Sequence, residues 1–221
     1  KHISLAKSLC PTGILGINIM VASNYYKEHV KAAIKSGIDL IISGAGLPIS
    51  LPKLTKGYNV KIAPIVSSLK SAKVILKLWD KHDNVCPDLM IIEEPKDGGH
   101  LGFKLDELND NNFNFDKVIV DIINETKKYA QKYNKDIPVI VGGGVFDGRD
   151  IAHYLNLGAS GVQMATRFVV TEECDASQKF KDAYINCSKD DIQIVKSPVG
   201  MPGRAIKNKF IQNNSQKNCK V

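Results

Sequence analysis

Residues 137–168, IPVIVGGGVFDGRDIAHYLNLGASGVQMATRF, decide the fold. Val139, Ile140 and Val141 form a short β-branched run that stops at Gly142-Gly143-Gly144, where side chains vanish and backbone N–H groups are free to face a ligand. Asp147 then reads as a helix N-cap, Ile151, Ala152 and Leu155 as the buried face of that helix, and Gly158 as its end. Gly161-Val162-Gln163-Met164 makes a second short buried strand ending at Ala165-Thr166. Two adjacent turns of this kind can place amides around one anion. In a parallel barrel the turns after the last two strands hold phosphate in this way. A plain strand-to-helix turn is the competing explanation of the triplet, whose spacing is not G-x-G-x-x-G and which no Gly-Lys-Ser/Thr follows.

Working outward, the same unit repeats. Residues 2–9 are a helical fragment cut by Pro11, and residues 14–22, ILGINIMVA, are a near-continuous apolar strand interrupted by Asn18. A strand this apolar is expected to be buried on both faces, so Asn18 should have a partner in the backbone or a ligand. Val30, Ala33 and Ile34 mark a helix, and residues 38–43 a strand that opens into Gly44-Ala45-Gly46. Residues 62–66 end in Ser67-Ser68 before a helix with Leu69, Ala72, Leu76 and Trp79 on one face. Residues 89–92 run into Glu93-Glu94-Pro95-Lys96-Asp97-Gly98-Gly99-His100-Leu101-Gly102. After a polar Asn/Asp-rich loop, residues 118–133 trace a long amphipathic helix leading back to Ile137.

About six strand–helix units in succession indicate a parallel α/β fold, and the even composition indicates one domain over residues 1–190. Six strands are two short of a (β/α)₈ TIM barrel, so the first two strands are expected to be missing from this sequence. An open doubly wound sheet is the alternative. The barrel is preferred because Asn18, Gly44, Ser67, His100, Gly143 and Thr166 recur near the C-terminal ends of nearly all strands, whereas an open sheet gathers ligand residues at one switch point. Residues 191–221 read as an irregular loop, broken by Pro198, Gly200, Pro202 and Gly203, and a polar tail. They either lie over the active site, with Arg204 facing an anion, or form a surface connection.

The 221 residues are 43% hydrophobic and 24% charged, with no apolar run near the ~20 residues of a membrane span. No signal peptide is visible, although the sequence begins at Lys1 rather than Met. The net charge of +7 comes from scattered lysines without interleaved aromatics, which argues for solvated surface and against nucleic acid. Cys10, Cys86, Cys174, Cys187 and Cys219 are odd in number and far apart, with no C-x-x-C pair. Reduced thiols in a cytoplasmic protein without a metal site are expected.

His100 is the reactive candidate. Gly98, Gly99 and Gly102 leave little bulk around it, and histidine is the side chain whose ordinary titration range suits a general base. His2, His29, His82 and His153 lie in helical patterns and read as surface or packing residues. Glu93 and Glu94 are either acid/base groups or partners of a nearby lysine.

These segments resemble the nitronate monooxygenase (2-nitropropane dioxygenase) family, which also includes the FMN-dependent enoyl-acyl-carrier-protein reductase II enzymes. The resemblance rests on GINIMVA at residues 16–22, GAGLP at 44–48, APIVSS at 63–68, DGGHLGF at 97–103, IPVIVGGGV at 137–145 and GASGVQMATRF at 158–168. It implies a TIM barrel with non-covalent FMN, whose phosphate would be held by Gly142, Gly143, Gly144, Gln163, Met164, Ala165 and Thr166. Asn18, Ser67 and Gly99 would lie along the ribityl chain and ring, and His100 would be the catalytic base. The implied reaction oxidises alkyl nitronates with O2 to carbonyl compounds and nitrite. The alternatives are an NAD(P)H- and FMN-dependent enoyl-acyl-carrier-protein reductase and a non-catalytic flavin- or phosphate-binding barrel. A small-molecule substrate with O2, and a homodimer, are the partners expected. This sequence differs from the family in having Ala165 where a glycine is common and Glu94 where Glu93 would be followed by glycine, and in lacking a glycine-rich Gly-Gly-Met turn of the first strands.

Overall fold

Each apolar run is too short to bury itself, so each must pair with a neighbour and lie under a helix. The computed structural model describes residues 1–108, 113–196 and 200–215. Within them the chain runs α1 (His2–Leu9), β1 (Gly16–Met20), α2 (Tyr26–Lys35), β2 (Leu40–Gly44), α3 (Leu51–Thr55), β3 (Lys61–Val66), α4 (Leu69–Asp83) and β4 (Met90–Glu93). It continues through β5 (Gly99–His100), α5 (Leu105–Leu108), α6 (Phe115–Tyr133), β6 (Val139–Gly142), α7 (Gly148–Asn156), β7 (Gly161–Gln163), α8 (Thr166–Val169), α9 (Gln178–Ile185), β8 (Ile192–Lys196), β9 (Pro202–Ile206) and α10 (Lys209–Ser215).

Six strands form one parallel sheet in the order β1-β2-β3-β4-β6-β7. The order follows the chain without reversal, so there is no switch point and the doubly wound alternative is excluded. The sheet curls into a half-barrel. The core lies between this sheet and its helices: Ile41, Met90, Ile92 and Val141 from the strands join Ile75, Leu76 and Trp79 of α4 and Ile119 and Ile122 of α6, all fully buried. Trp79 Nε1 donates to the Pro48 carbonyl at 3.1 Å, satisfying the one polar atom its burial takes from water.

Local sequence sets the helix ends. Ser68 and Ser71 form a reciprocal capping box at the start of α4, and Asp147 and Asp150 do the same for α7, as Asp147 leads one to expect. Gly158, with φ +99°, stops α7 where a side chain would be strained.

Three expectations need correction. The buried face of α7 is not Ile151, Ala152 and Leu155: Tyr154 is its buried residue, Ile151 is half-buried, and Ala152 and Leu155 are exposed. The strand within residues 14–22 is not buried on both faces: β1 is the edge of the sheet, Ile14 is 87% exposed, and Asn18 is exposed rather than held by a buried partner. Composition alone could not reveal which strand lies at an edge. The expected irregular loop after residue 191 is a β-hairpin: β8 and β9 pair antiparallel, and β9 also pairs with β5, giving a second, three-stranded sheet. Prolines and glycines hid it, because Pro202 opens its strand and Gly203 sits where two backbones approach. Pro198, Cys219 and the end of the basic tail lie outside the described residues.

Candidate active site

The site is built where the parallel strands end. At the exit of β4, Glu93 accepts from the Gly102 N–H at 3.0 Å, while Ser67, just past β3, donates to the Gly102 carbonyl at 2.7 Å. These two bonds draw the glycine-rich loop down onto the strand ends. A β-carbon on Gly102 would lie 2.7 Å from the Glu93 carboxylate and 3.1 Å from the Ser67 hydroxyl, so a side chain here would displace the Glu93 carboxylate. Beside this contact runs a cleft of about 520 Å³ lined by Ser67, Glu93, Leu47, Phe103, Phe113 and Met201. Burial raises the Glu93 carboxyl to about 7; the Gly102 N–H opposes this and the Asp97 charge adds to it.

His100 lies on β5, held against Gly203 of β9, and its Nε2 is buried with no hydrogen-bond partner among the described residues. A buried ring nitrogen left unpaired is costly unless something else meets it. Gly99, with φ +80°, takes a backbone conformation that a side chain would disfavour.

The glycine triplet needs two readings kept apart. Gly142 is the last residue of β6, and only Gly143 (φ +96°) and Gly144 (φ +66°) form the turn. A β-carbon on Gly143 would stand 2.6 Å from Cβ of Asp97, and one on Gly144 would stand 2.8 Å from the Glu94 carboxylate. The close approach of the acidic loop therefore already requires glycine here. The hydrogen-bond pattern says more than the glycines do. The N–H groups of Gly143, Gly144, Met164 and Ala165 have no acceptor among the described residues. Gly142 and Gln163 are register partners, so the two turns leave adjacent strands side by side. For the phosphate of FMN, which the resemblance implies, this set fits: unpaired amides at two neighbouring turns, followed by the first turn of α8. Ala165 has φ −128°, so its methyl costs the backbone nothing. Arg167, not singled out from the sequence, ties the turns together by donating to the Phe146 carbonyl at 3.2 Å and lying 4.8 Å from the Phe146 ring centroid.

The other candidates are placed less tightly. Asn18 sits on β1, with β2, β3 and β4 between it and β6, so the described residues do not bring it to the phosphate turns. Glu94, which is buried, takes the Lys96 N–H and stands near the Lys96 ammonium. Arg204, expected to face an anion, instead donates to the carbonyls of Pro95 and Asp97 at 2.7 and 2.8 Å. His153 pairs with Asp116 at 3.0 Å on the surface, consistent with a packing or surface role. Among the described residues no group of three or more His, Cys, Asp or Glu is arranged to hold a metal, and Cys10, Cys86, Cys174 and Cys187 are free thiols. No described helix is long and apolar enough to cross a membrane.

The family model described as nitronate monooxygenase matches residues 2–221. The chain belongs to this family. It is 29% identical over 196 residues to a probable nitronate monooxygenase of Staphylococcus aureus (strain MSSA476), covering 86% of this chain and 50% of that protein. A second probable nitronate monooxygenase, from strain JH9, is 28% identical over 202 residues, covering 89% of this chain and 52% of the relative. The chain thus spans about half the length of the curated relatives it matches. Among solved structures, FabK from Thermotoga maritima superposes with a TM-score of 0.73 at 26% identity, covering 96% of this chain and 61% of that one. Nitroalkane oxidase from Streptomyces ansochromogenes, at 17% identity and TM-score 0.65 over 90% of this chain and 63% of that one, shares the fold.

Proposed function

We propose that this chain is part of an FMN-dependent oxidoreductase that oxidises alkyl nitronates with O2 to carbonyl compounds and nitrite. The observation that carries the reading is the buried, unpartnered Nε2 of His100, in a glycine-flanked loop at the strand ends of a nitronate monooxygenase-family chain. When bound, FMN would supply the electron acceptance and oxygen chemistry that no side chain offers. Gly142, Gly143 and Gly144, with Gln163, Met164, Ala165 and Thr166, would hold its phosphate, Gly143, Gly144, Met164 and Ala165 through their unpaired amides. Asn18, Ser67 and Gly99 would lie along the ribityl chain and ring. From a neutral nitroalkane His100 would take the proton on the carbon bearing the nitro group, giving the nitronate that is then oxidised, while the apolar walls of the cleft, Leu47, Phe103 and Met201, exclude water.

The same reading makes the curled sheet six strands of a (β/α)₈ TIM barrel, with the other two lying between β7 and β1. The greater length of the relatives supports it. A homodimer remains part of the proposal. The deciding experiment is the visible spectrum of the purified protein with identification of the released chromophore, followed by oxygen uptake on propane-2-nitronate. Bound FMN with nitrite produced in step with oxygen consumed supports the reading. A colourless protein that cannot be reconstituted with FMN overturns it.

The similarity to FabK over 96% of this chain favours one second reading, NAD(P)H-dependent reduction of an enoyl thioester at the same flavin. Oxidation of NAD(P)H on adding an enoyl thioester, with no nitrite formed from nitronate, would select it. A non-catalytic flavin-binding barrel would bind FMN and show neither activity.

A further inference from the structure

We propose that Arg204 is a positioning residue for His100, acting through the loop that carries the histidine; this rests on the reading of His100 as the catalytic base. The loop is anchored at Gly102 by Glu93 and Ser67, but those bonds lie beyond the histidine and do not hold the residues before it. β5 is two residues long and, among the described residues, pairs only with β9, not with the parallel sheet. Gly98 and Gly99 precede the histidine and give the backbone the freedom that a base must not have.

Arg204 removes that freedom from two directions. Its backbone is the register partner of Gly99, its neighbour Gly203 is the partner of His100, and the Leu101 N–H donates to the Pro202 carbonyl at 2.8 Å. Its side chain reaches back across the loop, where one terminal nitrogen donates to the carbonyls of both Pro95 and Asp97. The turn it grips is closed by the Asp97 N–H on the Glu94 carbonyl at 2.9 Å and fastened to β6 by the Glu94 N–H on the Gly142 carbonyl at 2.8 Å. A continuous path of hydrogen bonds therefore runs from β6, through the acidic turn and Arg204, to the strand that presents His100. The arginine charge also faces Glu94 and Asp97, whose carboxyls burial pushes up and the guanidinium draws back down. Gly203 belongs to the same device, since a β-carbon there would lie 3.2 Å from the Gly99 carbonyl oxygen and push β5 away.

The test compares the FMN-loaded protein with Arg204→Ala, Arg204→Lys and Gly203→Ala, reading kcat, KM, bound FMN and the His100 ring signals by NMR, assigned against His100→Ala. Displacing a base by about 1 Å costs on the order of 10- to 100-fold in rate, so Arg204→Ala is expected to lose that much kcat with bound FMN unchanged. Turnover is read on neutral 2-nitropropane, whose α-proton the base must take; its KM should stay within about twofold, because substrate binding is not what is lost, and turnover on pre-formed propane-2-nitronate should fall much less. The ring signals should shift, and Arg204→Lys, whose ammonium can still donate to both carbonyls, should recover most of the rate. Gly203→Ala keeps the arginine and should reproduce the loss in smaller measure, which covers the case that Arg204→Ala does not fold. A kcat within about twofold of the parent with unmoved ring signals overturns the proposal, as does a loss of turnover that tracks a loss of bound FMN. If the parent has no activity on nitronates, the functional reading fails on its own account. The ring signals then decide: moved in Arg204→Ala they support the positioning role, unmoved they overturn it.

Discussion

In the six-stranded sheet every strand but the short β7 brings its own apolar run, and Ile41, Met90, Ile92 and Val141 are fully buried in one cluster with Trp79 and Ile119. In the three-stranded sheet only Gly203 is buried, and its strands are held by backbone pairing and by Arg204. The first sheet is stabilised by area removed from water and tolerates little change in shape. The second holds one short strand in one place at little cost in core. The difference separates what keeps this protein folded from what, on the proposed reading, aims its histidine, and it can be pressed from both sides.

The largest effect is expected at the tip of the small sheet. His100→Ala should lower kcat on neutral 2-nitropropane by about 10²–10⁴-fold, the usual contribution of a positioned general base, without changing the FMN bound or the unfolding midpoint. A variant with undiminished turnover would remove the chemical half of the comparison. In the large sheet the pattern should invert. Trp79→Ala should destabilise by about 3–5 kcal/mol, through the cavity left and the loss of the bond to Pro48, while turnover per folded molecule stays close to the parent value. Denaturant unfolding with a matched active-site titration would measure both.

Glu93 lies at the seam, as the last residue of β4 and the acceptor of the Gly102 N–H. Its carboxyl is raised to about 7 when folded and returns to the ordinary value near 4.5 when unfolded. Between those values the folded state binds more protons than the unfolded state, so stability falls as pH rises through this window and levels off above about 7. Glu93→Gln should flatten that slope, with a difference on the order of 1–3 kcal/mol between pH 4.5 and pH 7. Glu94 and Asp97 are also raised by burial and contribute in the same direction, so the slope of the parent minus that of the variant is the quantity to read. A slope unchanged in Glu93→Gln would show that the carboxyl is not the titrating group. The smallest effect is at a helix end: Asp147→Ala removes the N-cap of α7 and should cost about 1 kcal/mol, with no change in FMN binding beyond that of the folded fraction.

How much of this could be read beforehand followed from where the forces lie. Residues 137–168 disclosed two strands, a capped helix and a glycine stop because each signal is local: β-branched runs, an Asp at the cap, a glycine with positive φ. The six strands and the helical faces of α4 and α6 were legible for the same reason. The resemblance and the family match agree on the nitronate monooxygenase family. The burial of the strand around Asn18 was misjudged because an apolar run does not say whether its strand is central or at an edge. The hairpin of β8 and β9 was missed because Ile192–Lys196 alternates only weakly and Pro202 and Gly203 read as breakers. The role of the glycine triplet was read as room for a ligand, although half of its cause is the Asp97 and Glu94 side chains packed against it.

The sequence by itself determined the repeating strand and helix units, their order and the turns at their ends, since these depend on residues within about 20 positions of one another. Only the tertiary structure decided that Arg204 would grip carbonyls 107 and 109 residues away, that Gly203 would lie against Gly99, and that the Nε2 of His100 would be buried unpaired. Those contacts depend on backbone atoms, which every residue carries alike, and backbone pairing at long range leaves no mark on the pattern of side chains.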